Sequence, residues 1–473
     1  MKKRVLFLLS IFCFCAICLF GCGVINLAGG PNSNDPIYGN GGVAVVKGDY
    51  IYYANVYIDY DDIGRYQNKY NEGLSKEGLP KKEIYGIFRS KLNEFGVVDL
   101  DENGEPKNAE LLVPQVGGFE FSGLYICGNY LYYSTPHVEV DSSNNDVKGI
   151  SFDRVELSGK NHESLYTILN YTSSCKFDIV NINNVAYIIV LDGDSNIRLI
   201  KIDDKSKQVY DANNRGLFAE NIDSYVSAKQ EKIEIGSSVD SVNKYVYYTK
   251  KDGNYYSLYK KSLVNLTESE ICLISSTTNE LKVVEIKNDR LYYTEDSILK
   301  SSKFDDNGNV ATYSTISVAT DSSATDSIVD YYILNDSNGT IKLDKGIVAV
   351  YYDGVSYSIL KIDANGHINE SVYLNEKQID IILCTNNIAY FMIKDESKLY
   401  SVDLSTKEES TVAESINLKV DDSVNIVDFD VDRLYYFDNV GDSSCLYLHI
   451  VDLNMYAYRD ADGNLIGHYL GKL

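Results

Sequence analysis

The sequence lacks most of the short motifs that identify a function directly. Its 473 residues include no tryptophan and only five histidines, and no two histidines have the spacing of a zinc site. Nucleophile elbows, P-loops and glycine-rich dinucleotide fingerprints are also absent. Beyond residue 41, no stretch of ten or more residues has the periodicity of an amphipathic helix. These absences exclude the enzyme and cofactor classes that such motifs define, and they favour an all-β chain.

Disulfide and metal frameworks are also missing. Four of the nine cysteines crowd the N-terminus, and the other five are widely dispersed, without any C-x-x-C spacing: Cys127, Cys175, Cys272, Cys384 and Cys445. Most of these five lie in apolar stretches, where cysteine behaves as a small buried hydrophobe. We therefore predict structural thiols and no metal or other cofactor.

Positive charge is scarce. The formal net charge is −24, with acidic residues spread along the chain. Such a surface repels nucleic acid and anionic lipid headgroups, so it predicts a solvated body without a nucleic-acid partner.

The N-terminus indicates export. Basic Lys2–Arg4 precedes the apolar stretch Val5–Phe20, which is followed by Gly21 and Cys22. This arrangement resembles the bacterial lipoprotein signal, and the resemblance implies that Cys22 is diacylated and becomes the new N-terminus. Loss of the three positive charges in residues 1–21 would change the formal charge from −24 to −27. The alternative is an uncleaved anchor helix of about 17 residues.

Both alternatives place the rest of the chain outside the cytoplasmic membrane, because the basic end stays inside. We expect a signal peptide over residues 1–21, a flexible tether over 22–41 and a single domain over 42–473. The expected location is the extracytoplasmic face of the cell membrane, with the lipid anchor as the only membrane contact.

One short unit recurs along the chain at intervals of about 40–60 residues. It is clearest in Asn288–Thr294, where a polar pair is followed by Arg-Leu-Tyr-Tyr-Thr. The polar pair predicts a type I′ hairpin turn. The strand that follows is apolar on both faces and must therefore be covered on both faces. Related units begin near Gly48, Gly128, Asn183, Asn243, Lys345, Asn386 and Val431.

Each unit continues into a half-exposed third strand and a more polar fourth strand. One face of the second strands carries Ile51, Leu131, Ala186, Val246, Leu291, Val348, Ala389 and Leu434. The opposite face carries Tyr52, Tyr132, Tyr187, Tyr247, Tyr292, Ala349, Tyr390 and Tyr435. Repeated four-stranded units that pack face to face predict a β-propeller of antiparallel blades, about eight in number, with seven as the alternative.

The stretch Leu291–Thr294, with Ile298–Lys300 and the Asp305–Gly308 turn, resembles the YWTD repeat of LDL-receptor-like propellers, with Tyr in place of Trp. The chain as a whole resembles a family of bacterial lipoproteins with such repeats. Known YWTD propellers have six blades, so the count of eight units departs from that pattern. Other propeller signatures, such as the WD dipeptide and the tryptophan-bearing Asp-box, are absent.

Four insertions interrupt the repeats. Tyr57–Glu83 and His137–Lys148 are expected between second and third strands, and Asp211–Glu231 and Ala319–Asn338 between blades. All four would then emerge on one face of the propeller, where long loops most often carry function. Binding candidates in the first insertion are Tyr57, Asp59, Tyr60, Asp61, Asp62 and Tyr66. Interleaved tyrosines and carboxylates suit a sugar, a peptide or a cationic surface.

The favoured hypothesis is a non-enzymatic binding or scaffold module at the cell envelope, with a protein or carbohydrate ligand at the cell surface. The main alternative is a propeller hydrolase, lyase or cyclotransferase acting on sugars or peptides at the central channel, since such enzymes build sites from dispersed inner-strand residues. A calcium-dependent adhesin is a third possibility, for which the only loop candidate is Asp460–Asn464, and this loop lacks a closing acidic residue.

Overall fold

The chain folds into β-strands and turns throughout the part that the structure describes. The computed structural model describes residues 37–39, 41–58, 83–93, 109–116, 123–140, 142–169, 177–182, 185–202, 216–227, 245–287, 290–296, 298–305, 307–315, 327–334, 346–363, 367–385, 387–396, 398–414, 428–430, 433–439, 446–452 and 468–469. Among these residues, no helix is long and apolar enough to cross a membrane.

Strands in the first half of the chain are β1 Ile37–Tyr38, β2 Ala44–Lys47, β3 Tyr50–Ile58, β4 Glu83–Lys91, β5 Glu110–Val116, β6 Tyr125–Cys127, β7 Tyr130–Val140, β8 Asp146–Glu156, β9 Glu163–Leu169, β10 Phe177–Ile182, β11 Val185–Leu191, β12 Ile197–Lys201, β13 Leu217–Ala219, β14 Ile222–Ser227, β15 Tyr245–Asp252, β16 Tyr255–Ser262 and β17 Ile271–Thr277.

Strands in the second half are β18 Leu281–Lys287, β19 Arg290–Glu295, β20 Ile298–Phe304, β21 Val310–Thr315, β22 Ser327–Ile333, β23 Ile347–Tyr352, β24 Tyr357–Ile362, β25 Ile368–Asn375, β26 Ile379–Thr385, β27 Ile388–Ile393, β28 Lys398–Asp403, β29 Glu409–Glu414, β30 Asp428–Asp430, β31 Arg433–Asn439, β32 Leu446–Asp452 and β33 His468–Tyr469.

The strands form eight antiparallel sheets: seven have four consecutive strands each, and the eighth has β1 followed by the four consecutive strands β6–β9. Blade 1 is β2–β5, blade 2 is β6–β9, and the later blades follow in the same way up to blade 8, which is β30–β33. In each set of four consecutive strands the first lies towards the centre and the fourth is outermost; in blade 2, β1 adds a further strand inside β6. This is a β-propeller, and the predicted fold class, with eight blades, is confirmed.

Apolar side chains fill the spaces between neighbouring blades. In β7, Leu131 packs in a cluster shared by blades 1 and 2, while the next residue, Tyr132, packs in a cluster shared by blades 2 and 3. Separate clusters lie between all adjacent pairs from blades 1 and 2 to blades 6 and 7. Blade 8 approaches blade 1 through β32 and β3. Face-to-face packing therefore explains why the second strands are apolar on both sides.

Blade 6 departs from the predicted alignment of faces by one residue. Val348 packs with Phe391 of blade 7, whereas Ala349 packs with Tyr292 of blade 5. Ala349 thus occupies the position of Leu291, and the predicted pairing of Val348 with the Leu291 set is wrong. The predicted alignment was one residue out because the Lys345–Gly346 pair resembles the two-residue turn of the other units. In the structure, residues 334–346 connect β22 to β23.

Connections between strands emerge on two opposite faces of the ring. We call the face with the first-to-second and third-to-fourth connections the turn face, and the opposite face the loop face. In blades 1 and 2 the two-residue turns have positive φ only at their first residue, Gly48 (59°) and Gly128 (58°). A single positive φ at that position is typical of a type II′ turn, so the predicted type I′ conformation is wrong for these two turns.

Two insertions expected between blades contain strands instead. The 211–231 segment includes β13 and β14, and the 319–338 segment includes β22. The long connections in these regions are 228–244 and 334–346, which join first to second strands and therefore belong to the turn face. The expectation of a loop-face connection is therefore wrong for 211–231, where β13 and β14 lie within what composition suggested was a loop. In the second insertion, residues 319–326 do join β21 to β22 between blades 5 and 6, and only the part from β22 onwards departs from the expectation.

The other two insertions join second to third strands as expected. His137–Lys148 is, however, mostly strand: β7 and β8 stay paired out to Val140 and Asp146 and form a long hairpin. Strands β3 and β4 are paired as far as Ile58 and Glu83, so residues 59–82 connect them on the loop face.

Both ends of the chain add short strands. The strand β1, which lies within the stretch predicted as a tether, pairs with β6 on the inner edge of blade 2 and makes that sheet five-stranded. At the other end, β33 pairs with β32 and completes blade 8. Each blade thus takes its four main strands from one continuous segment of the chain.

Buried cations connect consecutive blades near the turn face. Arg154 of β8 donates from Nε (2.9 Å) and Nη2 (2.6 Å) to Glu163, and its Nη1 donates to the Ile202 carbonyl of blade 3 at 3.0 Å. Its guanidinium lies 4.3 Å from the centroid of the Tyr130 ring. The side chain is 1% exposed, so all of its donors must be satisfied within the protein.

Blades 1 and 4 repeat this arrangement. Arg89 bonds to Glu110 and to the Leu157 carbonyl of blade 2, and Lys260 bonds to the Asn307 carbonyl of blade 5 at 2.7 Å. We call these contacts the inter-blade clamps.

Candidate functional site

The binding candidates from the first insertion lie almost wholly beyond the described residues. Tyr57 belongs to β3, while Asp59, Tyr60, Asp61, Asp62 and Tyr66 fall in residues 59–82, outside the described part of the chain, as does Cys22. Because Ile58 and Glu83 are paired, both ends of this segment lie side by side on the loop face. The loop itself remains a prediction.

A mixed-charge group is found on the loop face at the junction of blades 4 and 5. It brings together two lysines, two carboxylates and a phenol at the loop-face ends of their strands. We call it the blade 4/5 cluster, which consists of Asp223, Lys251, Tyr256, Glu280 and Lys282.

The charges of this cluster pair with one another. Lys282 Nζ and Glu280 Oε1 are 2.8 Å apart, and Lys251 Nζ lies 5.1 Å from the centroid of the Tyr256 ring. The bond to Lys282 lowers the pKa of Glu280, and the bond to Glu280 raises the pKa of Lys282. The contact with the Tyr256 hydroxyl, followed by the charge of Asp223, raises the pKa of Lys251. The lowered pKa of Glu280 and the raised pKa values of Lys251 and Lys282 keep these three groups charged at neutral pH, and all three remain accessible to solvent.

Backbone geometry positions the cluster. Asp223 is the extra residue of a β-bulge in β14, between Ile222 and Ser224. The Ser224 hydroxyl lies 2.7 Å from the Thr249 hydroxyl and accepts a 2.9 Å bond from the backbone N–H of Val283 in blade 5. Bulges redirect side chains and are frequent near functional sites. Here the bulge and the bond between blades fix Asp223 against the strand that carries Lys282.

Bulges also occur in the innermost strands of the next three blades, at one shared register. The extra residues are Val284, Val329 and Ile382. In each blade the extra residue separates two first-strand residues that pair with successive residues of the second strand. In blade 5 those second-strand residues are Tyr292 and Tyr293. Among these four bulges, only the one in blade 4 therefore places a charged residue at the channel edge.

Blade 7 carries a second polar group on the loop face. Glu396 accepts bonds from Lys377 at 2.8 Å and from the Tyr400 hydroxyl at 2.6 Å. On the adjacent innermost strand, Asp380 accepts a 3.1 Å bond from Gln378. The Lys377 bond, and then the Tyr400 bond, lower the pKa of Glu396.

Aspartates that open several turns serve the backbone. Asp403 accepts the N–H groups of Ser405 (2.7 Å) and Thr406 (2.8 Å), and Asp353 does the same for Val355 and Ser356. These are Asx turns, in which the carboxylate stabilises the turn. In the described residues, no three His, Cys, Asp or Glu side chains are grouped so that they could hold a metal ion.

Thiols and imidazoles are scattered in the described part of the chain. Cys127 and Cys384 are buried cysteines and Cys272 is an exposed one. His137 lies on the β7 extension, and His367 contacts Asp363 at the end of β24. An enzyme at the channel would need inner-strand carboxylates next to a histidine. Among the described residues, no histidine lies on an innermost strand.

No sequence motif identifies the blade 4/5 cluster. Its members come from four strands and the short connection before β18, and they are ordinary surface residues in the linear sequence. The one available signal was the position of Lys282 in the first strand of the clearest repeat, where other blades have Asp178 and Asp380. Only the pairing of strands shows that these positions are equivalent.

Comparison with known proteins adds only distant structural neighbours. No protein-family model and no curated protein matches the chain. Prolyl oligopeptidase B from Galerina marginata is 8% identical with a TM-score of 0.38, over 88% of this chain and 55% of that one. Dipeptidyl peptidase 4 from Porphyromonas gingivalis is 8% identical with a TM-score of 0.46, over 93% and 60%. A nidogen/laminin complex is 11% identical with a TM-score of 0.26, over 69% and 89%. The chain thus spans just over half the length of the two peptidases.

Proposed function

We propose that the protein is a lipid-anchored, extracytoplasmic β-propeller that acts without catalysis as a binding or scaffold module of the cell envelope. The lipoprotein-like signal ending at Cys22 supports the anchor. The observation that carries the binding role is the blade 4/5 cluster, whose four charges are exposed and held on adjacent inner strands. Such a surface can bind a protein or carbohydrate that presents both charge signs.

Rigid support is what makes the cluster suitable for binding. Lys282 lies on β18, and the residues on either side of it, Leu281 and Val283, are buried between blades 4 and 5. A ligand that replaces the internal ion pair meets side chains whose backbone is already fixed, so little order has to be created on binding. The net charge of −24 opposes nucleic acid as a ligand.

The anchor is tested by fractionating cells that express the wild type and the Cys22→Ala variant. We expect the wild type in the membrane fraction and the variant in the soluble extracytoplasmic fraction. Retention of the variant in the membrane would refute the lipid anchor and favour the uncleaved helix.

The binding role is tested by screening the detergent-solubilised protein on a glycan array and on an array of peptides with mixed charge. Array binding signals that depend on the blade 4/5 cluster should fall at least tenfold in a Lys251→Ala/Lys282→Ala variant. They should persist in Lys160→Ala, which removes an exposed lysine from the turn face. Signals equal in all three proteins, or no signal on either array, would contradict the proposed site.

A further inference from the structure

The direction of β1 determines the face from which the N-terminal segment leaves the propeller. Ile37 pairs with Cys127 and Tyr38 with Ile126, in antiparallel orientation. Cys127 is the last residue before the Gly128–Asn129 turn, so Ile37 lies beside the turn face. The chain then runs along β1 towards the loop face, and β2 brings it back to the turn face at Gly48.

Several contacts hold β1 in this position. Lys47 Nζ bonds to the Gly128 carbonyl and lies 5.5 Å from the centroid of the Tyr38 ring. At the opposite end, the Leu124 N–H donates to the Gly42 carbonyl at 2.8 Å. Gly39, with φ of 99°, sits so close that a Cβ would lie 2.6 Å from the Leu124 carbonyl oxygen. The segment is therefore tied to blade 2 at both ends of β1.

We propose that the turn face of the propeller is held against the membrane and that the loop face points away from it. This inference rests on the proposed anchor at Cys22. The 14 residues between Cys22 and Ile37 then join the acyl chains to the inner edge of blade 2, next to the Gly128–Asn129 turn.

Geometry limits the opposite orientation. Four strands spaced about 4.8 Å apart around a narrow channel give a radius of about 25 Å, and a strand of seven residues gives a thickness of about 23 Å. A tether from the centre of the turn face around the rim to the loop face must therefore cover about 50 Å. The 15 residue steps from Cys22 to Ile37 span about 50–54 Å only when fully extended, and about 21 Å as a flexible coil, so the opposite orientation would need an almost fully extended tether.

Charge indicates how the turn face meets the lipid. Its described turns mix acidic, amide and basic residues, for example Asp49, Asn129, Lys160 and Asp403. Such a surface does not attract anionic headgroups, so the acyl anchor holds it near the membrane without insertion. The blade 4/5 cluster lies on the opposite face and is presented to ligands outside the membrane.

Energy transfer between the protein and labelled lipid tests the orientation. The background is the lipidated full chain with Cys175→Ser, Cys272→Ser and Cys445→Ser, in which the described thiols that remain, Cys127 and Cys384, are buried. A donor dye is attached at Asn129→Cys on the turn face or at Asp252→Cys on the loop face, both exposed positions. Each protein is reconstituted into phosphatidylcholine vesicles with acceptor dye on a fraction of the headgroups.

Transfer from position 129 should exceed transfer from position 252 at every acceptor density, as expected for a difference in height of about 23 Å. Equal transfer from the two positions, or stronger transfer from position 252, would overturn the orientation while leaving the anchor intact. The same labels on a Cys22→Ala chain mixed with vesicles should give no transfer. Transfer in that variant would instead contradict the anchor, so the two failures are distinguishable.

Discussion

Arg89 and Arg154 occupy equivalent positions in consecutive blades, each directly opposite the second tyrosine of the repeat, Tyr52 or Tyr132. Each bonds to a glutamate on the outermost strand of its own blade and to a carbonyl just beyond the third strand of the next blade. They differ in burial, because the Arg154 side chain is 1% exposed and that of Arg89 is 20% exposed.

This difference predicts unequal losses of stability. Arg154→Ala leaves a buried gap beside Tyr130 and removes the bond to blade 3, so the free energy of unfolding should fall by about 2–4 kcal/mol. Arg89→Ala should cost about 1 kcal/mol, because water can replace part of the lost contact. Urea unfolding of both variants measures the difference. Equal losses would show that the clamp of blade 2 is no more important than that of blade 1.

Buried tyrosines predict unfolding in alkali. Burial raises the pKa of Tyr53, Tyr132 and Tyr247 well above the ordinary value of 10.0. Above that pH the unfolded chain releases these protons while the folded chain retains them. Stability is therefore complete below about pH 10 and falls above it, by up to about 1.4 kcal/mol per pH unit for each tyrosine.

The alkaline transition can be measured as tyrosinate absorbance together with circular dichroism. Ionisation of the buried group should coincide with loss of the β-sheet signal. Tyr247→Phe removes one raised pKa together with its 2.7 Å bond to the Gly308 carbonyl, and should make the pH dependence of stability less steep. Ionisation of all tyrosines before any unfolding would contradict the burial of these side chains.

The Asx turns predict the acid side of the stability profile. Hydrogen bonds from the Thr406 and Ser405 backbone lower the pKa of Asp403, and those from Ser356 and Val355 lower the pKa of Asp353, relative to the ordinary value of 3.8. A lowered folded-state pKa contributes stability above about pH 3.8, which is lost as the pH falls further.

Asp403→Asn keeps an oxygen acceptor for the turn but cannot titrate. We expect a slightly lower melting temperature at neutral pH and a flatter decline between about pH 4 and pH 2.5 than in the wild type. An unchanged acid slope would show that the Asp403 carboxylate makes no contribution to the pH dependence.

Gly346 predicts a steric requirement in blade 6. A Cβ at this position would overlap the carbonyl oxygen of Ile362, which belongs to the backbone of the neighbouring strand β24. Gly346→Ala should therefore destabilise the protein by about 1–3 kcal/mol. Gly253→Ala is the matched control, because its Cβ would meet nothing within 4 Å and only its φ of 61° opposes the substitution. Thermal unfolding should rank Gly346→Ala as the more damaging change.

The repeats made the fold predictable and left its contacts unpredictable. Spacing and two-sided apolar strands are local signals, and they predicted four-stranded blades, about eight in number with seven as the alternative, that pack face to face. The face on which Ala349 packs depends on how β22 pairs with β23. The inter-blade clamps depend on carbonyl groups in the next blade. Both are contacts between distant segments that no local pattern encodes, as is the meeting of Asp223 with Lys282.

Strand β1 has a consequence for the order in which the protein forms during synthesis. It is the first strand to be made, yet its partner β6 follows about 90 residues later. The inner edge of blade 2 can be completed only after blade 1 has been synthesised, so the first two blades must mature together. Strand β1 therefore stays unpaired over that interval, and the first stable folding intermediate should contain two blades and not one.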